Sequence, residues 1–220
     1  METRFFLASL GLASVLASGS ALAAGATSTF DTDADGWTVS DFTVGGGTPA
    51  SWLPAGMIQT FDAYSWTVFS APAKFLGDQS AVYGGSLSFD LQDTAKDGDA
   101  DNYFTVVLKG AGLTLSWFGG APSTTTLAHF DAMLSESDTR WRVGPCTQIS
   151  LCATVPTAVQ FQSALAGLEL LQIDADWKSG GDDSRLDNVV LAAAVVPEPE
   201  SWALMLLGLA GVAGVLRRRR

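Results

Sequence analysis

Asp31-Thr32-Asp33-Ala34-Asp35-Gly36 sets three carboxylates at alternate positions ahead of a glycine. Oxygen ligands at that spacing, with a glycine to allow a sharp turn, are what a calcium ion asks of a loop. A complete helix–loop–helix site would put a bidentate Glu at the twelfth position, and here that position is Phe42. Asp97-Gly98-Asp99-Ala100-Asp101-Asn102 repeats the spacing and arrives at Leu108. Both segments read as a solvated acidic turn or as part of some other calcium geometry. Other reactive groups are few. His129 is the only histidine and lies on the polar phase of an alternating run. A Ser-His-Asp site would have to use it, and no Gly-x-Ser-x-Gly elbow presents a nucleophile. Nothing selects two of the many acids as a glycosidase pair. The chain is read as non-enzymatic.

Cys146 and Cys152 are separated by five residues. In an oxidising compartment such a pair is expected to form a disulfide closing a small loop. Two thiols without a nearby histidine do not complete a tetrahedral zinc shell. Of the tryptophans, Trp66, Trp141 and Trp177 fall in patterned runs and are expected in the core. Trp52 lies between Pro49 and Pro54 and is the candidate platform for a sugar ring, whose C–H face matches a flat apolar indole.

The elements that must position these groups read as β. Apolar residues alternate in Leu87–Leu91, Phe104–Leu108, Leu113–Trp117, Ala128–Leu134 and Leu171–Trp177, and Leu186–Leu191 reads as the last strand. Gly, Pro, Asp and Ser clusters separate these runs. Phe161, Leu165 and Leu168 share one face of a short helix expected at about 157–167. Many antiparallel strands in one domain-sized length favour a two-sheet sandwich.

The two ends read as targeting segments. Arg4, the apolar run Phe5–Leu16 and the small-x-small triplet Ala21-Leu22-Ala23 make a secretory signal peptide over residues 1–23. Its partners would be the Sec translocon and signal peptidase. At the other end, Pro197-Glu198-Pro199 precedes an uncharged run, Trp202–Leu216, and then Arg217, Arg218, Arg219 and Arg220. Clustered arginines resist translocation and stay cytoplasmic. Fifteen helical residues reach roughly 22 Å against a hydrocarbon core of about 30 Å, which suits a transient inner-membrane anchor. Residues 195–220 resemble the PEP-CTERM sorting signal of Gram-negative bacteria. The resemblance implies recognition by an exosortase, a membrane protease, and delivery to the cell surface or exopolysaccharide matrix.

Between the ends, residues 25–194 form one domain. The chain carries 12 basic and 23 acidic residues. Setting aside Arg4 and the four terminal arginines leaves 7 basic residues. Setting aside Glu2, Glu198 and Glu200 leaves 20 acids, a balance of −13. Such a surface repels nucleic acid and anionic lipid.

Ala71-Pro72, Lys74-Phe75-Leu76-Gly77-Asp78, Tyr83-Gly84-Gly85-Ser86-Leu87 and Leu186-Asp187-Asn188-Val189 resemble the laminin B domain, also called laminin domain IV. The resemblance runs from about Phe30 to Leu191. It implies an all-β jelly-roll sandwich, similar to galactose- and carbohydrate-binding modules, with a structural or adhesive role and no shared catalytic residues. In jelly-roll carbohydrate-binding modules a structural calcium often ties the first strand to the last. Phe30-Asp31 and Asp187-Asn188-Val189 match those positions, so Asp31 and Asp187 are the expected ligands of one structural Ca²⁺. The function expected is that of an exported, non-catalytic matrix module. Alternatives are a carbohydrate-binding module for exopolysaccharide and, after it, a glycoside-acting enzyme on the same fold.

Overall fold

The computed structural model describes residues 25–94, 103–178, 180–194 and 208. The signal peptide, the acidic repeat at Asp97–Asp101 and the sorting tail with Pro197, Glu198, Pro199 and Arg217–Arg220 lie outside the described residues.

Thirteen strands are present among the described residues: β1 (Gly25–Ser28), β2 (Thr38–Asp41), β3 (Thr48–Pro49), β4 (Ser51–Leu53), β5 (Met57–Phe61), β6 (Thr67–Ser70), β7 (Ser86–Asp93), β8 (Val106–Gly110), β9 (Leu113–Trp117), β10 (Ala128–Met133), β11 (Trp141–Val143), β12 (Leu168–Asp174) and β13 (Asp183–Ala192). They form two antiparallel sheets. One runs β10-β7-β13-β5-β4, with β1 also on β13; the other runs β11-β9-β8-β12-β6-β2-β3. This is the expected jelly-roll sandwich.

The alternating runs explain the first sheet. Leu87, Phe89 and Leu91 point into the core, while Ser86, Ser88 and Asp90 are half-buried on the outer face. That is the pattern of an antiparallel sheet with one wet side. The second sheet departs from it. Val106, Val107 and Leu108 are all buried in succession. Its outer side carries a second small core of Val68, Phe104 and Val107 under Phe42 and Phe118. Phe42 stacks on Phe104 with centroids 4.5 Å apart, and Trp66 closes on Phe42 at 5.5 Å. Trp66 therefore belongs to this outer cluster rather than to a strand, and Trp177 lies in the loop after β12.

On the same side, the fully buried Gln172 amide is satisfied on every hand. Its Oε1 accepts from Thr43 N at 2.8 Å, and its Nε2 donates to Val44 O at 2.9 Å and Ser70 Oγ at 3.0 Å. This pins the loop after β2 onto the sheet.

The helix α1 spans Ala158–Ala166, close to the expected 157–167. Thr157 and Gln160 form a reciprocal capping box at its start, worth about 1 kcal/mol. Its buried face, Phe161, Ala164 and Leu165, packs near β8 and β9. Phe161 meets Trp141 edge-on at 5.2 Å. Gly110 permits this approach: a Cβ there would stand 2.2 Å from the Ala164 carbonyl oxygen.

Candidate functional site

The sheet topology brings the first and last segments together. β13 pairs with β7 along one side. On its other side β5 takes Asp183–Leu186 and β1 takes Val189–Ala192. Between those two partners the register with β7 shifts, and Asn188 adopts φ 51°. One extra residue in a strand produces this local twist and re-aims its neighbours. Asp187 and Asn188 are thereby turned to the outer face beside Asp90.

Asp31 and Asp187 are close enough for their charges to interact. Burial pushes the Asp187 carboxyl up, the Asn188 N–H opposes it, and the Asp90 and Asp31 charges add to the rise. Donors already serve these acids. Asp187 accepts from Asn188 N at 2.7 Å, and Asp90 accepts from Asn188 Nδ2 at 2.8 Å and pairs with His129 Nδ1 at 2.7 Å. Asp31 accepts from Thr29 Oγ1 at 2.6 Å and is exposed. The rest of the N-terminal acidic turn diverges. Asp33 accepts from the Asp35 amide, and Asp35 turns to Ser28 and Lys74. Among the described residues, no three Asp, Glu, His or Cys side chains stand as ligands of one metal ion.

Trp52 lies opposite Ile58 in the β4–β5 register, on the side that faces the core. Its indole N–H donates to the Phe30 carbonyl at 2.7 Å, and 37% of the residue is exposed. It closes the edge of the sandwich, with part of its ring in solvent. Phe61, at 63% exposure, is the more accessible aromatic on the same sheet; the sequence reading did not mark β5 as a strand and so did not single it out. A groove of about 560 Å³ lies at Gly85, Asp131, Met133, Arg140 and Ala193, and no aromatic residue lines it. Cys146 and Cys152 form the expected disulfide, with Cα atoms 5.9 Å apart.

A second set of acids escaped the sequence reading. Asp93, Asp174, Asp176 and Asp182 are all at least nine-tenths buried. They gather where the chain crosses from β12 to β13. Burial first, and then the Asp93 charge, push Asp182 up to about 8. Burial also raises Asp174 and Asp176. Asp174 and Asp176 sit on the polar phase of their run, which in a sheet with one wet side would be solvated. The covering of this sheet's outer side hides that distinction from the sequence.

The Laminin B (Domain IV) family model matches residues 68–204, more than half of the chain. The chain belongs to the laminin B family. A second model, the PEP-CTERM protein-sorting motif, matches residues 195–220. Among curated relatives, laminin subunit gamma-1 of Homo sapiens is 32% identical over 180 residues, covering 76% of this chain and 10% of its own length. The Xenopus tropicalis subunit gives the same identity and coverage over 179 residues. This chain thus spans about a tenth of the curated relatives it matches. In structure it is similar to the L4b domain of human laminin alpha-2, with TM-score 0.64 and 15% identity over 78% of this chain and 98% of that one. The likeness to the carbohydrate-binding module CtCBM11, at TM-score 0.37, carries no argument. No helix among the described residues is long and apolar enough to cross a membrane.

Proposed function

We propose that this laminin B sandwich is exported from a Gram-negative cell and serves as a non-catalytic structural or adhesive module at the cell surface or in the exopolysaccharide matrix. The carrying observation is the sorting motif at 195–220, joined directly to a sandwich whose last strand ends at Ala192. In this reading signal peptidase cuts after Ala23. Trp202–Leu216 holds the precursor at the inner membrane, and an exosortase removes the tail at Pro197-Glu198-Pro199. Fractionation with intact-mass measurement tests the route. Mature protein outside the cell, lacking both ends, is expected. Replacing Pro197-Glu198-Pro199 by alanines is expected to leave a membrane-bound precursor. Full-length protein in the cytosol would overturn the reading.

Polysaccharide binding is the competing role, and the exposed parts of Trp52 and Phe61 favour it enough for a direct test. Saturable binding on a glycan array, lost in Trp52→Ala, moves the assignment to a carbohydrate-binding module. Turnover of a bound polysaccharide moves it to an enzyme. Asp31 and Asp187 are proposed to hold one structural Ca²⁺ with backbone carbonyls and water. The interaction between their charges supports this, since a cation between two acids relieves their repulsion. Equal melting midpoints for Asp187→Asn and the parent protein, each with calcium and with chelator, would count against it.

A further inference from the structure

The inner face of the first sheet changes character at one end. Along β7 the inward positions read Leu87, Phe89, Leu91 and then Asp93. Along β13, moving toward its start, they read Leu191, Val189, Leu186 and then Ser184, with Asp182 just before the strand. Ser184 is the direct partner of Asp93 in the register, so their side chains share a face. The loop after β12 lays Asp176 against this pair, and Asp174 lies behind it.

Among the described residues, three backbone donors are seen on Asp174, Asp176 and Asp182. Asp176 Oδ2 accepts a long bond from Thr67 N at 3.4 Å, Asp182 Oδ2 accepts from Lys178 N at 3.1 Å, and Asp174 Oδ1 accepts from Asp176 N at 3.3 Å. That leaves Asp174 Oδ2, Asp182 Oδ1 and the Ser184 hydroxyl buried without a hydrogen-bond partner. The Asp182 carboxyl interacts directly with those of Asp93 and Asp176. Burying an ionised carboxylate is costly unless it is paired. Here several oxygens converge from both sheets, and one of them is a neutral hydroxyl that repulsion between acids does not account for.

We propose that this end of the sandwich binds a hard, oxygen-seeking divalent cation of the calcium class between Asp93, Asp176, Asp182 and the Ser184 hydroxyl. The carboxylates do not form a three-ligand shell as they stand. Calcium does not require one: it accepts six to eight oxygens in irregular geometry, and two carboxylates, a hydroxyl, backbone carbonyls and water suffice. The bound ion ties the crossover loop to the end of β7 and so locks one sheet against the other. A site of this kind in an extracellular module works at an affinity of roughly 10⁻⁴–10⁻³ M. It is separate from the outer-face pair, of which Asp31 is exposed and Asp187 half-buried.

Terbium luminescence tests the proposal, because Tb³⁺ takes calcium sites and Trp177 lies in the same loop, its indole N–H donating to the Asp174 carbonyl at 3.3 Å. Chelator-treated protein is titrated with Tb³⁺ under tryptophan excitation and then with excess Ca²⁺; melting midpoints are read with Ca²⁺ and with chelator. Sensitised emission that Ca²⁺ displaces, and a midpoint several degrees higher with Ca²⁺, are expected. Asp182→Asn is expected to weaken the site read by Trp177-sensitised emission at least tenfold, and Asp187→Asn, which alters only the separate outer-face pair, to leave that emission and its displacement by Ca²⁺ unchanged. Ser184→Ala serves as the milder variant if Asp182→Asn does not fold. Absence of both emission and a calcium-dependent midpoint in the parent protein overturns the proposal. Loss of binding in Asp187→Asn but not in Asp182→Asn also overturns it, and places the ion at the outer face.

Discussion

Replacing Asp138 tests how the far edge of the second sheet is held. Asp138 lies in the turn between β10 and β11 and is buried. Its Oδ2 accepts from the Trp117 indole N–H at 2.9 Å and from Arg140 Nη2 at 2.8 Å, and its Oδ1 accepts from Arg140 Nε at 2.8 Å. The guanidinium also lies 4.5 Å over the Trp117 ring. Trp117 is 1% exposed and pairs in register with Trp141, so its N–H has no route to water. Asp138→Ala strands that donor, at a cost of about 1–3 kcal/mol. The lost ion pair adds at most about 1 kcal/mol, because the Arg140 side chain is 49% exposed and screened. The expected total is about 1–4 kcal/mol. At roughly 2–4 °C per kcal/mol for a domain of this size, the midpoint falls by about 2–16 °C. Asp138→Asn keeps an acceptor for Trp117 and is expected to lose about half as much. The pH dependence has a fixed sign. Burial alone would raise the carboxyl, but the Arg140 and Trp117 hydrogen bonds outweigh it and hold the group below its ordinary value of 3.8. The stabilisation is therefore complete above pH 3.8 and is lost as pH falls below that through the folded value. Urea unfolding at neutral pH and in the acid range measures both effects. A loss under about 1 kcal/mol for Asp138→Ala, or equal losses for Ala and Asn, would refute the assignment of Asp138 as the buried acceptor.

Three further outcomes are expected. Reducing the Cys146–Cys152 bridge, or replacing both cysteines by serine, should cost about 2 kcal/mol for so short a loop; identical urea midpoints with and without reductant would contradict this. Gln172→Leu should cost about 1–3 kcal/mol, because the Thr43 N–H loses its partner, while the Val44 carbonyl keeps Ser40 Oγ. It should also speed hydrogen exchange at Thr43, and unchanged protection there would count against the pinning role. Gly110→Ala should force α1 away from β8, since the added Cβ meets carbonyl oxygens at 2.2 and 2.5 Å; a midpoint within about 1 °C of the parent would show that the helix shifts at little cost.

The period-two runs at Leu87–Leu91, Leu113–Trp117 and Leu186–Leu191 were legible as strands because alternation is a local property of a sheet with one buried face. The helix near 157–167 was legible from Phe161 and Leu165 on one face. The disulfide followed from spacing and compartment. The laminin B phrases and the sorting tail were legible as contiguous motifs. The acid cluster was not. Asp93 and Ser184 face each other only through the β7–β13 register, and Asp176 reaches them only through the crossover loop. Trp52, set between Pro49 and Pro54, read as a sugar platform, and pairing with β5 turned it toward the core edge.

The sequence alone determined six of the thirteen strands (β7–β10, β12 and β13), the helix, the disulfide and the family, because each is written in neighbouring residues. Tertiary structure alone decided which polar residues lose water. Asp174 and Gln172 occupy polar-phase positions like that of the half-buried Asp90. They are buried because loops from elsewhere in the chain cover the second sheet, and no local pattern records what will lie on top of a strand.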